Sequence, residues 1–116
     1  MTTFRRVTIA AFTVASLGAG GAEAPLADAA RKGDWISVRA SLDQGADVTA
    51  VQGDGSTALH WAAYWDEHDS AERLIRSGAD VDAATDLGVT PLWSAAENGS
   101  AAMVRRLLAV DANPNA

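Results

Sequence analysis

The sequence repeats itself with a fixed period of 33 residues, marked by the even spacing of Ala30, Ala63 and Ala96. These alanines close three related stretches, which read PLADAA, TALHWAA and TPLWSAA. A second motif, GADV, begins at Gly45 and again at Gly78, which are also 33 residues apart. A fixed period of this length is typical of proteins built from stacked structural repeats. The chain is therefore expected to be a short solenoid rather than a globule around one irregular core.

Each copy has the same internal order of helix, breaker, helix and linker. The first helix is followed by a residue that tolerates a left-handed backbone, namely Gly33, Asp66 or Gly99. We interpret Asp66 as a substitution that keeps the glycine geometry. The second helix has apolar residues at i, i+3 and i+4 on one face, and polar residues on the other. Linkers 47–56 and 80–89 carry the turn residues of a two-stranded hairpin tip. The first helices are predicted over 26–32, 59–65 and 92–98.

The repeat unit resembles the ankyrin repeat. Residues 55–63 and 88–96 match the family pattern Gly-x-Thr-Pro-Leu-His-x-Ala-Ala, with Ala58 in place of the proline and Trp93 in place of the histidine. The resemblance implies an all-α ankyrin-repeat solenoid of helix-turn-helix pairs with β-hairpin tips. It also implies that the histidine ties neighbouring repeats together, a role that only His60 can take here. The resemblance covers residues 25–116, with repeats at about 25–51, 52–84 and 85–116.

Residues 1–24 have the order of a secretory signal peptide. Arg5 and Arg6 make a basic start, residues 7–18 are uncharged, and small residues follow. Cleavage is predicted near residues 22–24. The apolar run is shorter than the roughly 20 residues needed to cross a bilayer, and the arginine pair also fits a twin-arginine export route. We therefore expect a periplasmic or secreted protein with no stable membrane span.

The composition and the spacing of its polar residues argue against several classes of function. The formal net charge of −6 argues against a nucleic-acid partner, because phosphate binding needs a basic stripe. The chain has no cysteine, which excludes disulfides and thiolate sites. His60 and His68 lack the helical spacing of a metal-binding pair, and Ser56 and Ser94 lack the surroundings of a catalytic nucleophile. We expect no catalytic residue, no metal and no cofactor, so the sequence does not predict an enzyme.

Trp61, Tyr64 and Trp65 form the cluster most informative about function. Their i, i+3, i+4 spacing places them on one side of the first helix of repeat two. The family resemblance implies that this helix lines a concave groove that binds partners, and tryptophan and tyrosine dominate binding hot spots. For Tyr64 and Trp65 the pattern leaves binding and packing equally open. Packing is favoured for Trp61, and structural roles for Trp35 and Trp93. The predicted partner-binding residues are Arg31, Lys32, Asp54, Ser56, Trp61, Tyr64, Trp65, Asp86, Leu87, Glu97 and Asn98.

These features predict a non-catalytic scaffold that binds a protein partner through the groove. Asp54 and Asp86 make the tips acidic, so the partner is expected to offer a basic or apolar patch. Two alternatives stay open: a regulatory or inhibitory subunit of an exported enzyme, and the repeat block of a longer protein with a separate catalytic domain. Terminal repeats usually have a polar outer face, whereas the third repeat has an apolar stripe. Further ankyrin repeats or a partner are therefore expected to cover this C-terminal face. The stripe consists of Met103, Val104, Leu107 and Leu108.

Overall fold

The computed structural model describes residues 24–114, which form three consecutive pairs of short helices. All regular elements within this range are α-helices, which confirms the all-α prediction. The predicted signal peptide lies outside the described residues, apart from Ala24. In chain order the helices are α1 (Pro25–Arg31), α2 (Trp35–Asp43), α3 (Ala58–Tyr64), α4 (His68–Arg76), α5 (Pro91–Glu97) and α6 (Ala101–Ala109).

Threonine caps begin the first helices of repeats two and three. Thr57 Oγ1 accepts a hydrogen bond from the backbone N–H of His60 at 3.4 Å, and Thr90 Oγ1 accepts one from that of Trp93 at 3.2 Å. Because threonine is the N-cap, the residue after it is already helical. The first helices therefore start and end one residue earlier than predicted. Pro91 suits this first position, since an N–H there would have no partner within the helix.

Left-handed residues follow the first helices and reverse the chain into the second ones. The angle φ is 77° at Gly33, 59° at Asp66 and 74° at Gly99. The interpretation of Asp66 as a replacement that keeps the glycine geometry is therefore confirmed. The last helix, α6, is followed in the same way by Asp111, with φ at 70°. Both aspartates adopt a conformation that glycine reaches without strain.

An Asp111→Gly substitution is expected to raise the unfolding free energy by roughly 0.5–1 kcal/mol, because it removes a Cβ from a left-handed backbone. Asp66→Gly is the matched comparison and should raise the unfolding free energy by less. Asp66 Oδ1 accepts a hydrogen bond from Ser100 Oγ at 2.6 Å, and glycine would lose it. Equilibrium urea unfolding of both variants measures the difference. A gain at Asp66 as large as the gain at Asp111 would contradict this account.

The linker tips are tight turns rather than the two-stranded hairpins that the sequence predicted. Each turn closes over five residues, with Gln52 N–H donating to Ser56 O at 2.8 Å in one linker. Neighbouring tips are joined by a hydrogen bond from Asp86 N–H to Asp54 O at 2.9 Å. A Cβ at Gly55 would lie 3.2 Å from the Cα of residue 85 in the next tip. The turns are therefore too short for a strand ladder, and glycine lets adjacent tips approach each other.

The core is a narrow layer between the helix pairs. Ala30 and Ala63, from the motif that defines the period, are fully buried. The first helices of neighbouring repeats contact each other, as small side chains at this position allow. Leu74, Met103 and Leu107 fill the space on the second-helix side and are also fully buried. This layer holds the exposed sides of α1, α3 and α5 next to one another, where the candidate binding residues lie.

Candidate functional site

His60 links the second repeat to the third through a buried hydrogen-bond network, as the sequence predicted. The residue is 4% exposed. Its Nδ1 lies 3.0 Å from the backbone N of Thr57, which can only donate a hydrogen bond. Its Nε2 lies 2.8 Å from the carbonyl O of Val89, which can only accept one. The imidazole is therefore neutral, with its proton on Nε2.

Acid is expected to destabilise the protein through His60. Burial lowers the pKa of His60 below its ordinary value of 6.5, so the folded protein binds this proton more weakly than the unfolded chain. The contribution of His60 to stability is complete above pH 6.5 and is lost progressively as the pH falls below that value. Urea unfolding measured from about pH 7 to about pH 5 tests this expectation. A His68→Asn variant should show the same dependence of the unfolding free energy on pH. An unfolding free energy that does not change with pH in the wild type would contradict the expectation.

Trp61, Tyr64 and Trp65, called here the aromatic cluster, form one continuous ring surface at the end of α3. The ring centroids of Trp61 and Tyr64 are 5.7 Å apart, and those of Tyr64 and Trp65 are 5.1 Å apart. The interplanar angles of 81° and 82° are those of edge-to-face contacts, which stabilise a fixed arrangement of rings. Tyr64 is nevertheless 41% exposed and Trp65 is 50% exposed. Two large rings are thus held in place while much of their surface remains accessible.

Hydrogen bonds separate the roles of the two tryptophans. Trp61 Nε1 donates to Gln52 Oε1 at 2.7 Å, and Gln52 Nε2 donates to Asp28 Oδ1 at 2.7 Å. Trp61 is half-buried within this chain, which supports the packing role favoured for it. Trp65 Nε1 donates to the carbonyl O of Arg31 at 3.2 Å. That bond fixes the indole against the preceding repeat, and half of the residue remains exposed to a partner.

The exposed side of the first helices continues on both flanks of the aromatic cluster. We call this surface the first-helix face and define it by Arg31, Lys32, Tyr64, Trp65 and Glu97, all of which are exposed. One flank is basic and belongs to repeat one, and the other is acidic and belongs to repeat three. Different charges on the two flanks allow the surface to orient a partner as well as hold it.

The other predicted contact residues divide by exposure. Asp54 and Asp86 are exposed at the tips, and Leu87 is 92% exposed. Asn98 is exposed, although its Nδ2 donates to the carbonyl O of Tyr64. These residues are placed where a partner could reach them.

Ser56 is the exception, because it is buried rather than placed on the predicted partner-binding surface. It is only 5% exposed, because it turns inward to complete the tip. Its N–H donates to Asp54 Oδ1 at 3.0 Å. Hydrogen bonding from Ser56 holds the pKa of the Asp54 carboxyl below its ordinary value, so Asp54 is ionised at neutral pH. Ser56 supports the acidic tip and does not present a surface of its own.

A family model described as ankyrin repeats, in three copies, matches residues 26–116. The chain belongs to the ankyrin-repeat family. Ankyrin repeats are in general protein–protein interaction modules, and their fold is typically a binding scaffold rather than a catalytic one. The exposed aromatic cluster lies on the first helix of the central ankyrin repeat.

The chain is similar to ankyrin-repeat proteins that are much longer than it is, so it spans only a part of each. The ankyrin repeat domain-containing protein SAT10 of Stachybotrys chartarum is 35% identical over 96 residues, covering 83% of this chain and 5% of that protein. Human neurogenic locus notch homolog protein 1 is 40% identical over 62 residues, covering 53% of this chain and 2% of that protein. The crystal structure of the human ASB11 ankyrin repeat domain is 34% identical, with a TM-score of 0.71, and the likeness covers 78% of this chain and 41% of that one.

Within residues 24–114, the ankyrin stack shows no group of three or more His, Cys, Asp and Glu side chains placed to hold a metal ion. No helix in the same range is long and apolar enough to cross a membrane. A shallow cavity of 410 Å³ is lined by His68, Arg105 and Arg106, together with two alanines, and lies away from the aromatic cluster.

Trp93 departs from the structural role predicted for it, because it is 52% exposed. It stands one period after His60, at the position through which His60 contacts the next repeat, and two periods after Ala27. Ala27 and His60 are buried, at 1% and 4% exposure. Within residues 24–114, the indole of Trp93 lacks the cover that the following repeat gives His60.

Proposed function

We propose that this ankyrin-repeat protein is an exported, non-catalytic scaffold that binds a protein partner through its first-helix face. The observation that carries the proposal is the exposure of Tyr64 and Trp65, at 41% and 50%, within a fixed edge-to-face array. A soluble domain exposes such large rings at a cost, and fixed aromatic rings are the usual anchors of protein interfaces. Binding would remove both rings from water without first having to order them.

The surroundings of the rings suggest the chemistry of the partner. Asp54 and Asp86 lie at neighbouring exposed tips, which are joined by the backbone hydrogen bond between them. Glu97 adds a third exposed carboxylate on the flank of repeat three. A partner with an apolar centre for the rings and basic residues toward the tips would complement this side. Leu87, the most exposed large apolar residue at the tips, would extend the contact.

Export is the second part of the proposal, and it rests on the sequence of residues 1–24. Basic, apolar and small residues follow one another there in the order of a signal peptide. Cell fractionation and N-terminal sequencing of the purified protein test this part. A periplasmic or extracellular protein that begins near residue 23 or 25 is the expected result. Full-length protein confined to the cytoplasm would contradict export without affecting the binding proposal.

Site-specific photo-crosslinking in the producing cell tests the binding face. A photoreactive amino acid at Glu97 stands beside Asn98, whose side chain reaches the carbonyl of Tyr64, and so lies next to the rings. The matched control carries the same photoreactive residue at Ile36, which is 76% exposed on α2. We expect a discrete covalent adduct at Glu97 and none at Ile36, with the partner identified by mass spectrometry. Equal adducts at both positions, or none at Glu97, would contradict the proposed face.

A further inference from the structure

Asn98 and Gly99 form the one Asn-Gly pair of the sequence, at the junction between α5 and α6. An asparagine before glycine is chemically labile, because glycine has no Cβ to shield its backbone nitrogen from the neighbouring side-chain amide. The other two asparagines, Asn113 and Asn115, are followed by proline and alanine. Proline has no N–H and alanine shields its nitrogen. Asn98 is therefore the asparagine of this chain most prone to attack by the backbone.

The reaction is a deamidation that needs only water. The backbone nitrogen of Gly99 forms a bond to Cγ of Asn98, and the Cγ–Nδ2 bond breaks. The side-chain nitrogen leaves as ammonia and takes the proton of the Gly99 amide, so that a succinimide ring joins the two residues. Water then adds to one of the two ring carbonyls, and the C–N bond at that carbon breaks. Opening at Cγ gives aspartate, and opening at the backbone carbonyl gives isoaspartate.

The folded stack holds the two reacting groups apart. Asn98 directly follows α5 and keeps a helical backbone, with φ at −81° and ψ at −3°. The ring closes only when the Gly99 nitrogen rotates to the side of the Asn98 Cβ, far from this value of ψ. The N–H of Gly99 donates to the carbonyl O of Ala96 at 3.0 Å, and Asn98 Nδ2 donates to the carbonyl O of Tyr64 in the preceding repeat. Ring closure therefore requires this junction to open locally.

The product does not fit the place that Asn98 occupies. The amide of Asn98 donates to the carbonyl of Tyr64, whereas a carboxylate can only accept a hydrogen bond. The new charge would also lie at the C-terminal end of α5, where the helix dipole disfavours negative charge, and next to the exposed Glu97. Isoaspartate adds a methylene to the main chain just before the left-handed turn at Gly99, where φ is 74°. Either product loses the hydrogen bond between repeats two and three.

We propose that Asn98 is a site of spontaneous deamidation that the folded stack suppresses, and that the product weakens the junction between repeats two and three. The step is irreversible, since the ammonia is lost. A local opening that would otherwise reverse therefore leaves a permanent change beside Tyr64. The inference concerns the stack itself and does not depend on the proposed partner.

Peptide mapping by mass spectrometry tests the first part, with the full chain incubated at neutral pH in buffer and in guanidinium chloride. Deamidation of Asn98 should be at least about tenfold slower in buffer, since a local opening free energy of about 1.4 kcal/mol already gives this factor. Asn113 precedes proline and should keep its amide in both samples. The change of mass separates the reaction from isomerisation of Asp54, which also precedes a glycine. Equal rates in the two samples, or an intact Asn98 in guanidinium chloride, would overturn the proposal.

Urea unfolding of Asn98→Asp tests the second part, because this variant has the aspartate product from the start. Asn98→Ala is the matched control, which removes the hydrogen bond to Tyr64 without adding a charge. The unfolding equilibrium constant of Asn98→Asp should exceed that of Asn98→Ala by about two- to fivefold at low salt, the effect of a charge at the unfavourable end of a helix. An Asn98→Asp variant at least as stable as Asn98→Ala would show that the junction accommodates the carboxylate, which would overturn this part.

Discussion

A His60→Ala variant is expected to lose about 3 kcal/mol of unfolding free energy, because it leaves a buried donor without an acceptor and removes the bond to the next repeat. The buried N–H of Thr57 would lose its acceptor, and the carbonyl of Val89 would keep only the hydrogen bond from the N–H of Thr85. The cavity left by the imidazole adds to the loss. Such a change is a large fraction of the stability of a small domain. Equilibrium urea unfolding at neutral pH measures it.

Trp93→Ala is the matched control, because Trp93 occupies the same position one repeat later. Trp93 is 52% exposed, so the substitution should cost about 1 kcal/mol or less. If His60→Ala lowered the unfolding free energy by no more than Trp93→Ala does, His60 would not be the residue that links the two repeats.

Replacing Tyr64 and Trp65 together by alanine is expected to abolish partner binding. The dissociation constant for the crosslinked partner should rise by about 100-fold or more, since central aromatic residues each contribute about 2 kcal/mol or more to interfaces. The fold should survive. The double variant loses two edge-to-face contacts and the hydrogen bond from Trp65 Nε1 to the carbonyl of Arg31, together worth about 1.5–4.5 kcal/mol, which is less than the stability of a typical small domain. Isothermal titration gives the affinity, and circular dichroism gives the helicity.

Ile36→Ala is the control for the double variant, since it removes an exposed apolar side chain from α2 without touching the first-helix face. It should leave the affinity unchanged. Two results would count against the role of the rings. An unchanged affinity would show that the rings do not bind, and a double variant that is unfolded in buffer would show that they hold the stack together.

The fold could be predicted from the sequence because each structural requirement recurs one period later. The capping threonines, the alanine pairs and the left-handed helix ends impose the same local geometry in successive copies. Even the irregular residue Asp66 was interpretable, because Gly33 and Gly99 show what backbone the position needs. His60 could be assigned for the same reason, since its partner Val89 lies in the following linker. Because the repeats stack, the repetition indicates which residues of neighbouring copies come into contact, which a single sequence usually does not show.

The details of the candidate site depend on contacts between copies, which the period alone does not determine. Ser56 looked like a surface residue of a tip, but the turn is too tight to leave its side chain outside. Trp93 looked structural, yet its burial depends on whether another repeat follows. The balance between binding and packing in the aromatic cluster depends on where Gln52 and the carbonyl of Arg31 lie relative to the indole nitrogens. Those positions became visible only in the folded stack.

The central claim is that the partner binds at the aromatic cluster on the first-helix face. Fluorine NMR of protein labelled with 5-fluorotryptophan tests it most directly, because the chain has four tryptophans in distinct places. Resonances can be assigned by replacing each tryptophan in turn with phenylalanine. Adding the crosslinked partner is predicted to shift the resonance of Trp65 most and that of Trp61 less, and to leave those of Trp35 and Trp93 unchanged. A shift at Trp35 or Trp93 with an unmoved Trp65 would place the partner elsewhere and contradict the account.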